Sequence, residues 1–249
     1  MLADLIAETV RSGVAQARTV TRYRDPLIGF ARVDDPGFRH LRATNPGHWL
    51  PADLLAGARS VVAYFVPFAP EVVEANSQRP LRVAREWALA YVETNALLVR
   101  LADSLIQRLA ERGVRAAAEA PTHNFDPVSL ASGWSHKSVA VIAGLGSFGL
   151  HQMVITDSGC AGRFGSVVTD APLPIVEAVA RQRCRYLDAG SCLECIHACP
   201  ASALSVSGAM DKQACWTWLQ QVAREFEALG TADVCGKCST GPCALSSAV

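Results

Sequence analysis

Apolar side chains along the first two thirds of the chain recur with two different periods. A spacing of three or four residues predicts amphipathic helices over 2–16 and from about 81 to 112, the second ending at Gly113. A nearly continuous apolar run over 60–68 predicts a buried strand instead. Helical and strand periods within one segment indicate a domain that mixes α and β structure.

Shorter apolar runs continue this pattern and are separated by the turn-forming residues Gly, Asp and Pro. They predict three further strands, within 114–120, 153–156 and 165–170. A last helix is predicted from Asp211 to Ala228. The prolines at 172 and 174 precede a change in composition, and we therefore expect two domains, 1–178 and 179–249.

Composition narrows the classes of partner. With 249 residues, half of them hydrophobic, the chain can bury a large core, and its formal net charge of zero lacks the positive excess typical of nucleic-acid-binding proteins. We therefore do not expect a nucleic acid as partner. No apolar stretch approaches the roughly 18 residues of a transmembrane helix, and the N-terminus lacks the basic segment of a signal peptide. We expect a cytoplasmic protein that does not bind membranes.

The nine cysteines are distributed unevenly, because all of them lie from Cys160 onward. In a reducing compartment, structural disulfides are disfavoured, and a group of cysteines points to metal binding or redox chemistry. This shift in composition also supports a second module in the last part of the chain.

Three glycines, Gly144, Gly146 and Gly149, have the G-x-G-x-x-G spacing of dinucleotide-binding turns. Only nine residues lie between Gly149 and the turn signal at Gly159, which is too little for the crossover helix of such a site, and no acid stands about twenty residues on. We therefore do not expect a dinucleotide. A packing turn and a site for another cofactor remain as alternatives.

The cysteine spacing matches the latter part of a bacterial ferredoxin run. Cys192-x2-Cys195-x3-Cys199-Pro200 has that order, and in it the cysteine before proline binds the other cluster. The resemblance to a two-cluster ferredoxin implies one 4Fe-4S cluster held by Cys184, Cys192, Cys195 and Cys243, and a second held by Cys199, Cys215, Cys235 and Cys238. The alternative is a zinc ribbon that leaves five cysteines unused, formed by Cys192, Cys195, Cys235 and Cys238.

This cysteine order, together with "LLAGARSVVAYFVPF", "HKSVAVIAGLGSFGLHQMVIT" and "GRFGSVVTDAPLP", resembles the epoxyqueuosine reductase-like iron-sulfur proteins, which are related to corrinoid reductive dehalogenases. The resemblance implies an α+β fold class, in which a nitroreductase-like (corrinoid-domain-like) α/β domain is followed by a ferredoxin-like domain with two 4Fe-4S clusters. It also implies that the segment before Gly144 is a helix.

The same resemblance carries functional expectations. It implies an oxidoreductase in which the two clusters pass electrons to a site in the N-terminal domain. A reduced flavodoxin or ferredoxin-type protein would be the electron donor, and cobalamin, held in some members, would lie close to Gly144, Gly146 and Gly149. A ferredoxin-like electron carrier or accessory protein that catalyses nothing itself is the alternative.

The sequence departs from the family pattern at several positions. Leu130 stands where epoxyqueuosine reductases carry an aspartate that donates a proton, His136-Lys137 replaces a Glu-Arg pair, and the chain ends at Val249 without their C-terminal helical repeats. We therefore expect a small-molecule substrate rather than tRNA. His136 is the candidate replacement proton donor, because only imidazole has an unperturbed pKa near neutrality.

Other residues of this region are given structural roles. His123 and His151 are expected to be structural histidines. Cys160 is either a small buried hydrophobic residue or a substitute ligand for Cys184, and Trp216 and Trp218 are expected to shield a cluster from solvent.

Overall fold

The computed structural model describes residues 1–175 and 181–249. The helices are α1 (Leu2–Ala15), α2 (Pro36–Thr44), α3 (Pro51–Leu54), α4 (Pro70–Ser77), α5 (Arg85–Ala110), α6 (His136–Ile142), α7 (Arg185–Ala189), α8 (Glu194–His197) and α9 (Lys212–Glu225). The strands are β1 (Leu27–Arg32), β2 (Ser60–Pro67), β3 (Ala116–Ala117), β4 (Gly146–Phe148), β5 (Val154–Thr156) and β6 (Gly162–Thr169). The predicted domain boundary between residues 178 and 179 lies outside the described residues.

A four-stranded antiparallel sheet in the order β1-β2-β6-β3 forms the centre of the N-terminal part. Strand β2 lies inside it, pairs with β6 from Ser60↔Thr169 to Pro67↔Gly162, and has all eight residues buried. Both of its faces are covered, which explains why its sequence is continuously apolar rather than alternating.

Helices cover the two faces of this sheet. Helices α1 and α5 pack on one face, where Ile6, Tyr64 and Leu98 belong to one hydrophobic cluster. Helix α6 packs on the other face, where Phe65 and Val139 belong to a second cluster. The apolar stripes that predicted the two long helices are therefore the surfaces that contact the sheet.

Most predicted elements are present, with ends shifted by a few residues. The predicted helices correspond to α1, α5 and α9, and the predicted strands to β2, β3, β5 and β6. Strand β1 was not predicted, because it is only partly buried and carries Gly29, where an added Cβ would lie 2.4 Å from the carbonyl oxygen of Ala143. Helix α6 confirms the expectation of a helix before Gly144.

The cysteine-rich part packs against the N-terminal part. A third hydrophobic cluster joins Phe68, Trp87 and Ala161 of the first part to Val222 and Ala232 of the second. The guanidinium group of Arg24 donates hydrogen bonds to three carbonyl oxygens, those of Phe68, Ser158 and Leu245. Within the described residues, every helix falls short of the length and apolar character needed to cross a membrane.

Candidate functional site

The three glycines of the G-x-G-x-x-G sequence form a packing turn. Gly144 follows α6 with a φ of 76°, and Gly146 opens β4, so the order is helix, turn, strand, the reverse of a dinucleotide fingerprint. A Cβ on Gly146 would lie 2.3 Å from the carbonyl oxygen of Ile155 in β5. A Cβ on Gly149 would lie 2.8 Å from Cε1 of His151. The spacing therefore serves close backbone and ring packing.

The first predicted set of cysteines surrounds one small cavity. Its lining includes Cys184, Cys192, Cys195 and Cys243. Burial, together with charge repulsion from the neighbouring thiols of Cys243, Cys184 and Cys192, raises the pKa of Cys195 to about 11. The structure thus brings Cys184 to this group despite the seven residues that separate it from Cys192.

The second predicted set lies on the wall of a much larger cavity. This wall includes Cys199, Cys215, Cys235 and Cys238. Burial, together with the nearby thiols of Cys235, Cys215 and Cys199, raises the pKa of Cys238 to about 12. All nine cysteines are free thiols. The four cysteines of the zinc-ribbon alternative are divided between the two sets, which argues against such a ribbon.

Two buried indole N–H groups lie beside the second set. The Nε1 atoms of Trp87 and Trp218 have no hydrogen-bond partner among the described residues. Burial raises the pKa of Cys235, which lies in this set. Trp87 packs so closely on Gly236 that a Cβ there would lie 2.1 Å from the indole ring. Unpaired donors beside four thiols suit a group that offers acceptor sulfurs, as an iron-sulfur cluster does.

The large cavity has a volume of about 480 Å³, within the range of small-molecule sites. Its walls come from both parts of the chain, with the second cysteine set on one side and residues of the N-terminal part on the other. Phe125 and Trp216 meet edge to face, 5.3 Å apart, across these two parts. Gly144, Gly146 and Gly149 are absent from the described residues that line the cavity, so the predicted glycine cradle for a cofactor does not form there.

His136 lines the cavity, but both of its ring nitrogens are engaged. Nε2 lies 3.0 Å from the carbonyl oxygen of Ala120, which can only accept, so Nε2 carries the proton. Nδ1 then accepts from the hydroxyl of Ser166 at 2.8 Å, and that hydroxyl accepts from the indole of Trp134. Burial lowers the pKa of His136 to about 4. This arrangement argues against the predicted role as proton donor near neutral pH and favours a structural role.

A group of polar side chains lies on the cavity wall, and it includes His123, which the sequence predicts to be structural. Nε2 of His123 lies 3.5 Å from Oδ2 of the buried Asp233, whose Oδ1 has no partner among the described residues. The guanidinium of Arg163 stacks over the ring of Tyr91 at 4.4 Å. Burial raises the pKa of Tyr91. These residues come from distant positions in the sequence, and no local spacing relates them.

Lys137 lies on the same wall, beside the second cysteine set. Its Nζ donates to the carbonyl oxygen of Gln152 at 3.1 Å. Burial lowers the pKa of Lys137, whereas the nearby thiols of Cys238 and Cys215 act in the opposite direction. A cationic ammonium group at this position would partly offset the negative charge of thiolate ligands.

Cys160 and His151 lie next to the first cysteine set. Sγ of Cys160 is 3.7 Å from Sγ of Cys243, and Nε2 of His151 is 3.4 Å from the same sulfur. The three potential ligand atoms lie within 4.8 Å of one another. Cys160 therefore lies beside the first cysteine set, and Cys184 itself lines the cavity of that set.

Comparison with curated proteins relates the chain to one group of enzymes. No family model matches it. It is 25% identical over 172 residues to an epoxyqueuosine reductase from Vibrio cholerae serotype O1, covering 68% of this chain and 43% of the relative. It is 25% identical over 178 residues to one from Bacillus anthracis, covering 69% and 42%. The chain thus spans less than half the length of these relatives.

Solved structures share the fold. An epoxyqueuosine reductase with an epoxyqueuosine-modified tRNA stem loop superposes with a TM-score of 0.57 at 19% identity, covering 96% of this chain and 65% of that one. A catabolic reductive dehalogenase gives a TM-score of 0.59 at 15% identity, with coverages of 90% and 30%. Another dehalogenase structure, described as suggesting a mechanism for B12-dependent dehalogenation, gives a TM-score of 0.57 at 16% identity. It covers 85% of this chain and 29% of that one.

These comparisons confirm the resemblance to epoxyqueuosine reductase-like proteins and the α+β fold class. They also correct one expectation. A relative of the same fold is seen with a tRNA stem loop, which contradicts the inference that a nucleic acid is not a partner. The inference was weak because net charge averages over the whole surface, whereas a nucleic acid contacts one face of it.

Proposed function

We propose that this chain is an iron-sulfur reductase of the epoxyqueuosine reductase type, in which two 4Fe-4S clusters deliver single electrons to a substrate in the large cavity. One observation carries the proposal: the second cysteine set forms part of the wall of a cavity of about 480 Å³. A mere electron carrier has no need of such a cavity. The curated relatives support a reductase, and reductases of this kind act on an electrophilic group such as an epoxide.

We assign the ligands as the sequence predicted, with Cys184, Cys192, Cys195 and Cys243 on the first cluster and Cys199, Cys215, Cys235 and Cys238 on the second. The two sets are neighbours, since Cys238 also lines the small cavity of the first set. Only the second set borders the large cavity with all four thiols. The first cluster would therefore receive electrons from a reduced flavodoxin or ferredoxin-type donor.

Cobalamin is a candidate occupant of the large cavity. The support is the B12-dependent dehalogenase of the same fold and the aromatic walls formed by Phe125, Trp134 and Trp216, which suit a flat macrocycle. When bound, it would supply a cobalt centre that accepts single electrons. The predicted glycines would not hold it, because they lie outside the cavity.

His123 and Asp233 are the proton source that the geometry favours. The His123 side chain is 44% exposed and can exchange protons with solvent, whereas that of Asp233 is 5% exposed. Their contact at 3.5 Å links solvent to the cavity wall. Asp233 also raises the pKa of Tyr91, after the larger effect of burial, and so keeps the phenol protonated. This pair would replace the aspartate that the family carries where this chain has Leu130.

The substrate follows from the chemistry of the relatives. Their names identify an epoxide on a modified nucleoside and a carbon-halogen bond. Two electrons and two protons convert an epoxide to an alkene and water, and two electrons and one proton convert a carbon-halogen bond to a carbon-hydrogen bond and a halide ion. We therefore propose a substrate with such an electrophilic group, either free or carried on an RNA.

Metal content tests the proposal. Anaerobically purified protein should hold about eight irons and eight acid-labile sulfides per chain, because each 4Fe-4S cluster uses four of the eight assigned thiols. Stoichiometric zinc without visible charge-transfer absorption would contradict it. An aryl halide or an epoxide should then reoxidise the dithionite-reduced protein. Neither compound would reoxidise a pure electron carrier.

Single substitutions test the ligand assignment. Cys199→Ala and Cys235→Ala should damage one cluster, and Cys195→Ala and Cys243→Ala the other, each leaving about four irons or a 3Fe cluster in one site. Paramagnetic resonance of the reduced variants identifies the pairs, since coupling between neighbouring clusters disappears when either is lost. Loss of the Cys192 and Cys195 cluster in Cys199→Ala would show instead that the two sites are sequential.

A further inference from the structure

Cys243 is approached by two side chains that the proposed function does not use. His151 and Cys160 both come from the N-terminal part, from the segment between β4 and β6. Their side chains are buried, with residue exposures of 3% and 1%. Each places a hydrogen-bonding atom within 3.7 Å of the Cys243 sulfur.

The orientation of His151 is set by its other ring nitrogen. Nδ1 lies 3.1 Å from the backbone N–H of Met153, which can only donate. Nδ1 is therefore the unprotonated nitrogen, and Nε2 carries the proton. At 3.4 Å, the Nε2–H group donates to the sulfur of Cys243.

Cys160 must donate rather than accept once Cys243 is a cluster ligand. A metal-bound cysteine is a thiolate and has no proton to give. The Cys160 thiol has a second acceptor, the carbonyl oxygen of Ser239 at 3.9 Å, but the thiolate at 3.7 Å is closer and charged.

The backbone is built to hold this contact. The N–H of Cys160 donates to the carbonyl oxygen of Cys243 at 2.9 Å, and the N–H of Ala161 to that of Ala244 at 3.0 Å. Gly159 has a φ of 77°, and a Cβ there would lie 2.2 Å from the Ala244 oxygen. Gly149 likewise leaves room for the His151 ring. Gly149 and Gly159 thus permit the close approach that places both hydrogen-bond donors beside the Cys243 sulfur.

We propose that His151 and Cys160 are positioning residues that donate two hydrogen bonds to the Cys243 thiolate and thereby raise the reduction potential of the first cluster. Hydrogen bonds to a thiolate ligand favour the more negative, reduced state of the cluster. This inference rests on the proposed function, because it requires Cys243 to hold a cluster.

Redox titration of the full-length protein tests the proposal. Cys160→Ala and His151→Phe should each retain about eight irons and lower the potential of one cluster only, by about 59 mV, which is a tenfold change in the ratio of reduced to oxidised cluster. Cys160→Ser and His151→Gln keep a donor and should stay closer to the parent value. Ile155→Val, an apolar change in the same cavity wall, controls for altered packing.

Spectroscopy provides a second measurement, of a signal that a purely structural role of His151 would not produce. In protein labelled with 15N-histidine, pulsed paramagnetic resonance of the reduced first cluster should show a coupled nitrogen that is lost in His151→Phe. Unchanged potentials in both donor-free variants would overturn the inference, and so would loss of about four irons in Cys160→Ala, which would make Cys160 a ligand. A parent protein without clusters would instead refute the proposed function itself.

Discussion

At the residue scale, both the backbone conformation and the neighbouring Trp87 side chain require glycine at position 236, in the Cys235-Gly-Lys-Cys238 turn. Its φ is 69°, and an added Cβ would meet the rigid, buried indole of Trp87. We expect Gly236→Ala to lower the free energy of unfolding by about 3 kcal/mol or more, from left-handed strain of roughly 1–2 kcal/mol plus overpacking. Anaerobic urea denaturation followed by circular dichroism measures this.

Gly208 offers the matched control for this residue. Its φ is 80°, but an added Cβ would have no heavy atom within 4 Å. Gly208→Ala should therefore cost only about 1–2 kcal/mol, the strain contribution alone. Equal losses for the two variants would show that the Trp87 contact is unimportant.

At this scale, sequence patterns predicted site residues correctly where those residues are close to one another in the chain. The spacing predicted both cysteine sets that the structure brings together. It could not predict the His123–Asp233 contact, because these residues are adjacent only in the fold. His136 shows the converse, since its type suggested proton transfer, whereas Ala120 and Ser166 occupy both ring nitrogens.

At the element scale, helix α9 places Cys215 in its first turn. The Asp211 side chain caps this helix by accepting from the N–H of Ala214 at 2.9 Å. We expect Asp211→Ala to cost about 1 kcal/mol and to reduce the retention of the second cluster selectively, because the frayed turn carries one of its ligands. Iron content and paramagnetic resonance after mild heating measure the retention.

Asp211→Ser is the control, since serine is an equally good helix cap and should restore retention. A selective loss of the first cluster in Asp211→Ala would contradict the assignment of Cys215. The helix itself was predictable from its apolar spacing. Strand β1 was not, because Gly29 interrupts its short apolar run and glycine is depleted in strands.

At the scale of the whole molecule, Arg24 links the two parts of the chain, because its guanidinium donates to the carbonyl oxygen of Leu245 in the cysteine-rich part and to those of Phe68 and Ser158 in the N-terminal part. Arg24→Met keeps the aliphatic stem but leaves these acceptors unpaired, and we expect a loss of about 2–3 kcal/mol. The C-terminal segment should also be cleaved faster in limited proteolysis. Arg22→Met, at an exposed position nearby, should change neither property. Equal proteolysis of the two variants would show that Arg24 does not hold the parts together.

The pairing of residues 160–161 with 243–244 has a consequence for biosynthesis. The loop between β5 and β6 that carries Cys160 leaves the ribosome more than eighty residues before its partner, so this contact can form only late in translation. Until then, the hydrophobic core of the sheet can fold, whereas the thiol pocket that Cys243 completes stays open. Cofactor insertion by the cell's assembly machinery would therefore follow folding of the N-terminal sheet, and a nascent chain stalled before Cys243 would expose unligated, oxidation-prone thiols.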